Sequence, residues 1–91
     1  MKDHEFRWIE GNVDHIDEHG VDPAEAEYVV GNATPPWPRQ EGNRKFRVRG
    51  QGSDGRWLQV VFVVDEDEMI FVIHARPLTD KEKRQCRRSQ Q

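Results

Sequence analysis

Two ionisable side chains stand at the end of an apolar run that has the composition of a β-strand. His74 and Arg76 follow residues 70–73, and their two-residue spacing places both side chains on one face of a strand. Histidine can accept or donate a proton near neutral pH, and arginine can hold a phosphate through two parallel hydrogen bonds. Arg56 starts the neighbouring apolar run, near the same end of the predicted hairpin. These three residues are therefore the first candidates for acid–base chemistry on a bound anion.

Each candidate also has a purely structural interpretation. His74 would then be a histidine whose hydrogen bonds are satisfied at a sheet edge, and Arg76 would pair with the acidic N-terminal helices. A further strand, predicted over 44–49, carries three cations on one face: Lys45, Arg47 and Arg49. That stripe either extends a cationic track or is a solvated strand face. The residue types alone leave both interpretations open.

The first predicted helix adds two histidines, His15 and His19, which lie four residues apart on one helix face. This spacing suits a metal ion, but a third ligand would be required, and His4 or Asp14 would have to supply it. His19 has a simpler interpretation at the helix end, where it interacts favourably with the last carbonyl groups and the helix dipole. We therefore expect no metal and no other cofactor.

The helices that must position these residues have recognisable starts. Three are predicted: a helix over about 13–19 with Asn12 as N-cap, a helix opened by Asp22, Pro23 and Glu25 that stops at Gly31, and a helix over about 80–88 opened by the capping box of Thr79 and Glu82. The last helix is basic, and its cations either bind a ligand or complement the negative end of its own dipole.

Short apolar runs predict strands over 6–9, 44–49, 56–64 and 69–76, with the acidic residues 65–68 as the turn of the last hairpin. The run over 56–64 is apolar at nearly every position, so it should be a strand covered on both faces. Residues 32–43 are rich in proline and predict an ordered surface loop in which Trp37 packs back on the body. Stacking of Trp37 on a base is the less favoured alternative. The order β-α-α-β-β-β-α predicts an α+β fold, a mainly antiparallel sheet with two N-terminal helices on one face and a short C-terminal helix.

Composition limits the class of protein. Ninety-one residues make a single domain over 1–91, and no run of 18 apolar residues could span a membrane. The first residues lack the apolar segment of a signal peptide, and the single cysteine, Cys86, fits a reducing compartment, so we expect a cytoplasmic protein. Cys86 has no flanking motif of a nucleophile, although Arg84 and Arg87 could lower its pKa.

Charge is distributed unevenly along the chain. The net charge is −3, but residues 1–31 hold nine acids and two bases, whereas residues 32–64 hold six bases and two acids. An acidic protein is a poor non-specific binder of nucleic acid. The basic middle third could nevertheless supply a local phosphate-binding face.

A set of motifs runs through residues 6–88 in the same order as the predicted elements. They are Phe6-x-Trp8, Asn12, His19-Gly20-Val21, Glu25-Ala26, Gly55-Arg56-x-Leu58 and Ile73-His74-Ala75-Arg76-x-x-Thr79-x-x-Glu82-Lys83-Arg84. In these motifs the chain resembles the BrnT-type toxins, small ribonucleases of bacterial type II toxin–antitoxin pairs with a RelE-like fold. It departs from that family at His15, where a basic residue is usual, and at Cys86, where an aromatic residue is common.

The resemblance implies a metal-independent endoribonuclease that cleaves mRNA and inhibits translation. Its catalytic residues would be His74, Arg76 and Arg56. Its RNA-binding residues would be the cations Lys45, Arg47, Arg49, Lys83 and Arg84. The implied partners are the RNA substrate and a ribbon-helix-helix antitoxin similar to BrnA, which would cover the cationic sheet face within a heterotetramer. The alternative is a non-catalytic module of the same fold that binds an antitoxin and takes part in operon repression.

Overall fold

Four strands and three helices make up residues 4–89, the part of the chain that the computed structural model describes. In chain order they are α1 (Glu10–Asp17), α2 (Pro23–Gly31), β1 (Arg39–Gly42), β2 (Lys45–Gln51), β3 (Trp57–Val64), β4 (Ile70–Pro77) and α3 (Asp80–Ser89). The strands form one antiparallel sheet in the order β1-β2-β3-β4. The predicted α+β class and its mainly antiparallel sheet are confirmed. Residues 1–3, which begin the segment predicted to lack a signal peptide, lie outside the described part. None of the described helices is long and apolar enough to cross a membrane.

The two N-terminal helices cover one face of the sheet, as predicted. The core between them and the strands is apolar throughout: Ile16, Val21, Ala26, Val29, Val30, Val48, Leu58, Val60, Phe62, Ile70, Val72 and Ala75. The other face of β3 is also covered, since Gln59 is 4% exposed and Val61 is 6% exposed. This confirms that the central strand is buried on both faces. We call the face that carries Gln59 and Val61 the outer face.

The C-terminal helix α3 packs on the outer face. Its Glu82 accepts hydrogen bonds from Arg49 of β2 and Arg76 of β4, which flank Gln59 in the sheet register. Cys86 of α3 is buried, and this burial raises the pKa of its thiol although Arg49 acts in the opposite direction. The expectation that Arg84 and Arg87 would lower this pKa is wrong, because desolvation raises it and outweighs the opposing charge of Arg49.

Two β elements differ from the sequence prediction. Residues 6–9 do not form a strand, since only Phe6 makes an isolated parallel bridge, to Ile70 of β4. The loop predicted over 32–43 contains the short edge strand β1, whose four residues are all exposed. A fully exposed strand has no apolar alternation, which is why the pattern did not reveal it. Trp37 packs against the core, as predicted.

The first helix begins earlier than predicted. Its N-cap is Ile9 rather than Asn12, and Asn12 lies buried within its first turn. The Asn12 side chain accepts a hydrogen bond from Ile9 N at 2.8 Å and donates one to the Val72 carbonyl oxygen at 3.2 Å. Asn12 thus satisfies an otherwise free N–H group from inside the helix and also ties α1 to β4.

The two other helix starts are confirmed. The Asp22 side chain accepts from Glu25 N at 2.9 Å. Thr79 and Glu82 form the reciprocal capping box, in which Glu82 N donates to Thr79 Oγ1 at 3.2 Å and Thr79 N donates to Glu82 Oε1 at 2.8 Å. Glu82 therefore fixes the start of α3 and also holds this helix on the sheet.

Candidate active site

Three histidines converge where α1 lies beside β4. The ring centroids of His19 and His74 are 5.8 Å apart, and His15 lies 6.5 Å from each of them. His15 and His19 are neighbours because they are four residues apart around the C-terminal end of α1. His74 joins them because α1 packs on β4. We call these three residues the histidine edge.

A β-bulge directs His74 to the outer face. Val61 pairs with His74, whereas the next residue, Phe62, pairs with Val72, so Ile73 is an extra residue in β4. Without it, His74 would share a face with Val72 and point into the core. The bulge keeps Val72 and Ala75 buried and places His74 beside Val61 on the outer face, together with Arg76.

The environment of His74 favours the neutral imidazole. Burial lowers the pKa of His74 most, and the nearby positive charges of Arg76, the other two histidines and Arg47 lower it further. A histidine that is neutral at physiological pH can accept a proton. His74 therefore has the protonation state required of a general base.

Cations lead across the outer face to the histidine edge. Arg39 pairs with Arg47, Arg47 with Val61, and Val61 with His74, so these residues form one row across all four strands. Arg47 contacts Glu41 at 3.0 Å, but its Nε is buried without a hydrogen-bond partner. The Arg47 side chain as a whole is 33% exposed, so part of it is open to an anion at the outer face.

The next row of the outer face runs from Arg49 through Gln59 to Arg76. Arg76 donates from both terminal nitrogens to the two carboxylate oxygens of Glu82, each at 2.8 Å, and Arg49 donates to the same carboxylate at 3.1 Å. Arg49 also donates to Gln59 at 3.0 Å. Hydrogen bonds from Arg76, with smaller contributions from Thr79 N and Arg49, hold the pKa of Glu82 well below its usual range. We call Arg49, Arg76 and Glu82 the carboxylate clamp.

Arg56 does not lie beside His74 and Arg76, where the sequence predicted it. It immediately precedes β3, and its side-chain contacts lie with the neighbouring turns rather than with the outer face. It contacts Asp54 at 2.8 Å and donates to the Gly20 carbonyl oxygen at 3.1 Å. Backbone and side-chain hydrogen bonds from Arg56 lower the pKa of Asp54. Arg56 thus supports the turn that carries His19, and the structure does not bring it together with Arg76.

The remaining predicted RNA-binding residues are spread over two elements. Lys45 is exposed on β2 and makes no ion pair with another described residue. Lys83 lies 3.8 Å from Asp80 within α3. Arg84 is exposed and lines a cleft along α3 with Lys81, Gln85 and Arg88. Within residues 4–89, none of these three cations forms a hydrogen bond or ion pair with a residue of the histidine edge.

Sequence reasoning named His15 and His19 but gave them a different role. Their spacing suits metal ligands, but the favoured interpretation places His19 against the carbonyl groups at the helix end, with no metal expected. Within residues 4–89 there is no group of three or more His, Cys, Asp or Glu residues with the geometry to hold a metal ion. Their connection to His74 depends on the packing of α1 against β4. The helical spacing, combined with a prediction of that packing, is the signal that could have revealed it.

Comparisons of the chain with protein-family models, with curated proteins and with solved structures found no match. The likeness to the BrnT-type toxins therefore rests on the sequence motifs and stays a prediction.

Proposed function

We propose that the protein is a metal-independent endoribonuclease of the toxin type, with the histidine edge as its catalytic centre. The observation that carries this proposal is the convergence of three imidazoles beside a row of cations. One of these imidazoles, His74, is kept neutral by its surroundings. The rings of His19 and His74, whose centroids are 5.8 Å apart, can each reach an oxygen atom of the same phosphodiester through hydrogen bonds of about 2.6–3.2 Å.

The reaction needs two proton transfers. His74 takes the proton from a ribose 2′-hydroxyl, whose oxygen attacks the adjacent phosphorus. The bond from phosphorus to the 5′-oxygen breaks, and His19 donates a proton to that leaving oxygen. The products are a 2′,3′-cyclic phosphate and a 5′-hydroxyl, and no metal or redox step is required. His15 adjoins both rings and supplies a further donor to the phosphate.

Phosphate binding falls to Arg47, one of the predicted RNA-binding residues, rather than to the predicted catalytic residue Arg76. Arg47 lies in the row that ends at His74, and its Nε has no partner within residues 4–89. Arg76 gives both terminal nitrogens to Glu82, so an RNA phosphate would have to share or displace that carboxylate. We therefore assign the first phosphate contact to Arg47. Arg76 acts through its positive charge beside His74.

The proposal includes a partner and a location. A ribbon-helix-helix antitoxin similar to BrnA, in a heterotetramer, would silence the enzyme by covering the outer face with acidic or extended segments. Rim charges would make that complex weaker at high salt. The proposed site of action is the cytoplasm, where mRNA is the substrate.

Expression in a bacterium, followed by RNA cleavage in the presence of a chelator, tests this function. The wild-type protein should arrest growth and cleave RNA, and His74→Asn should do neither while keeping its fold by circular dichroism. His4→Asn is the matched control, because His4 is the histidine outside the histidine edge. Wild-type protein that is folded, harmless and inactive on RNA would contradict the proposal.

A second candidate is the non-catalytic module that binds an antitoxin and helps to repress an operon. The carboxylate clamp favours it, because Glu82 occupies the two arginines that would otherwise face a phosphate. This candidate predicts no cleavage and unimpaired growth, together with tight binding of the antitoxin by wild type and His74→Asn alike.

A further inference from the structure

An open apolar groove lies between the start of α1 and the edge of the sheet that β4 forms. Its volume is about 360 Å³, and its lining residues are Ile9, Gly11, Asn12, His15, Phe71 and Ile73. Ile9 is 52% exposed, which is unusual for a large aliphatic side chain in so small a domain. Ile9 and the half-buried Phe71 and Ile73 thus present apolar side chains to an open groove.

The backbone beside this groove is not open to a partner strand. Ile70 N donates to the Glu5 carbonyl oxygen at 2.8 Å, and the Ile70 carbonyl oxygen accepts from Arg7 N at 2.9 Å. The Val72 carbonyl oxygen accepts from the Asn12 side chain. Because these groups at the sheet edge are already paired, a partner has to bind here through its side chains rather than by adding a strand.

The charge around the groove selects the kind of partner. Glu10 and Asp14 are exposed on α1 beside the lining residues, and neither forms a salt bridge within the described chain. Residues 1–31 together carry nine acids and two bases. The carboxylates of Glu10 and Asp14 attract basic side chains.

We propose that this groove binds a basic, amphipathic segment of a partner protein. Its apolar side chains would cover Ile9, Phe71 and Ile73, and its lysines or arginines would face Glu10 and Asp14. The binding itself does not depend on ribonuclease activity. Inhibition of RNA cleavage by the bound segment rests on the proposed function, because His15 lines the groove and also belongs to the histidine edge.

The test uses the full chain and a short synthetic helical peptide with leucines on one face and lysines on the other. Isothermal titration calorimetry should detect binding that weakens with salt, and amide shifts in NMR spectra should map it to Gly11, His15, Phe71 and Ile73. A peptide with glutamate in place of each lysine should not bind. Failure of this test leaves the RNA-cleavage assay unaffected, so the two proposals fail separately.

Two groove variants, each compared with a control variant elsewhere on the surface, test which side chains bind the peptide. Ile9→Ser should weaken binding about tenfold or more. It should keep the fold, since serine is a good N-cap residue at that position. Tyr28→Ser is its control, because Tyr28 is another exposed large side chain, at 44%. Glu10→Gln with Asp14→Asn should also weaken binding and remove most of its salt dependence.

The control for the acidic pair is Glu66→Gln with Glu68→Gln in the β3–β4 turn, which should leave binding unchanged. Binding that maps to another surface, equal affinity of Ile9→Ser and Tyr28→Ser, or equal binding of the glutamate peptide would each overturn the proposal. Self-association of the protein that Ile9→Ser abolishes would assign the groove to a second copy instead.

Discussion

The carboxylate clamp and His74 of the histidine edge lie on the same outer face, but the two clusters differ in how fully their side chains are paired. In the clamp, Arg49 and Arg76 share the carboxylate of Glu82 through hydrogen bonds of 2.8–3.1 Å. At the histidine edge, three imidazoles lie 5.8–6.5 Å apart, beyond direct hydrogen-bonding distance of one another. Fully paired groups stabilise the fold, and groups that are close but unpaired remain available to a ligand.

This difference separates residues that the sequence treats alike. His74 and Arg76 have the same strand spacing and appear in the same motif, yet Arg76 is the anchor of α3 and His74 faces two other histidines. Changes in the clamp should therefore act mainly on stability. Changes at the histidine edge should act mainly on chemistry.

The largest effect on stability is expected from Glu82→Ala. It removes three charge-assisted hydrogen bonds and a helix cap, and it leaves two partly buried arginines without a carboxylate partner. We expect a loss of about 2–3 kcal/mol in the free energy of unfolding, which lowers the melting temperature by about 10–20 °C. Urea denaturation and thermal melts measure this, with Glu66→Ala in the exposed turn as control. A change no larger than that of the control would show that the clamp does not hold α3.

Arg76→Lys should have an intermediate effect. Lysine keeps the positive charge but cannot give two parallel hydrogen bonds to Glu82, so we expect a loss of about 1 kcal/mol. Because the charge beside His74 remains, the folded variant should retain most of its RNA cleavage. Strong loss of cleavage by a stable Arg76→Lys protein would return Arg76 to the role of a bidentate phosphate ligand.

Stability should also depend on pH through Glu82. Its folded pKa is depressed, so its contribution is complete above the unfolded value of about 4.3 and is lost as pH falls from there towards the folded pKa. Denaturation curves below about pH 4.3 should therefore show a steeper loss of stability in wild type than in Glu82→Gln. Parallel curves for the two proteins would argue against the paired carboxylate.

A smaller effect concerns the proton affinity of His74. NMR titration should give a midpoint below the ordinary value of about 6.5, because burial and neighbouring cations disfavour the imidazolium. Arg76→Gln removes one of these cations, so the midpoint should rise by a fraction of a unit, whereas Arg44→Gln in the distant turn should not change it. Since the folded pKa is depressed, His74 also contributes stability above about pH 6.5 that is lost as pH falls below it. An unchanged midpoint in Arg76→Gln would remove Arg76 from the environment of His74.

Much of the fold could be predicted from local signals, whereas the site could not. The Asp22 and Thr79 caps and the apolar run of β3 are short-range patterns, and the structure confirms them. The bulge at Ile73 has no signature in the sequence, and without it simple alternation would place His74 in the core. The pairing of Arg76 with Glu82 rather than with an acid of the N-terminal helices depends on where α3 packs, a tertiary choice that spacing does not encode.

The pH dependence of RNA cleavage in the presence of a chelator, measured for wild type and His74→Asn, tests the central claim most directly. We expect the rate of the wild-type enzyme to rise with pH through a midpoint below about 6.5 that matches the NMR titration of His74. His74→Asn should lose about 100- to 10 000-fold in rate and should lack that rise. A folded His74→Asn protein that cleaves RNA at the wild-type rate with the same pH profile would show that the histidine edge is not the catalytic centre.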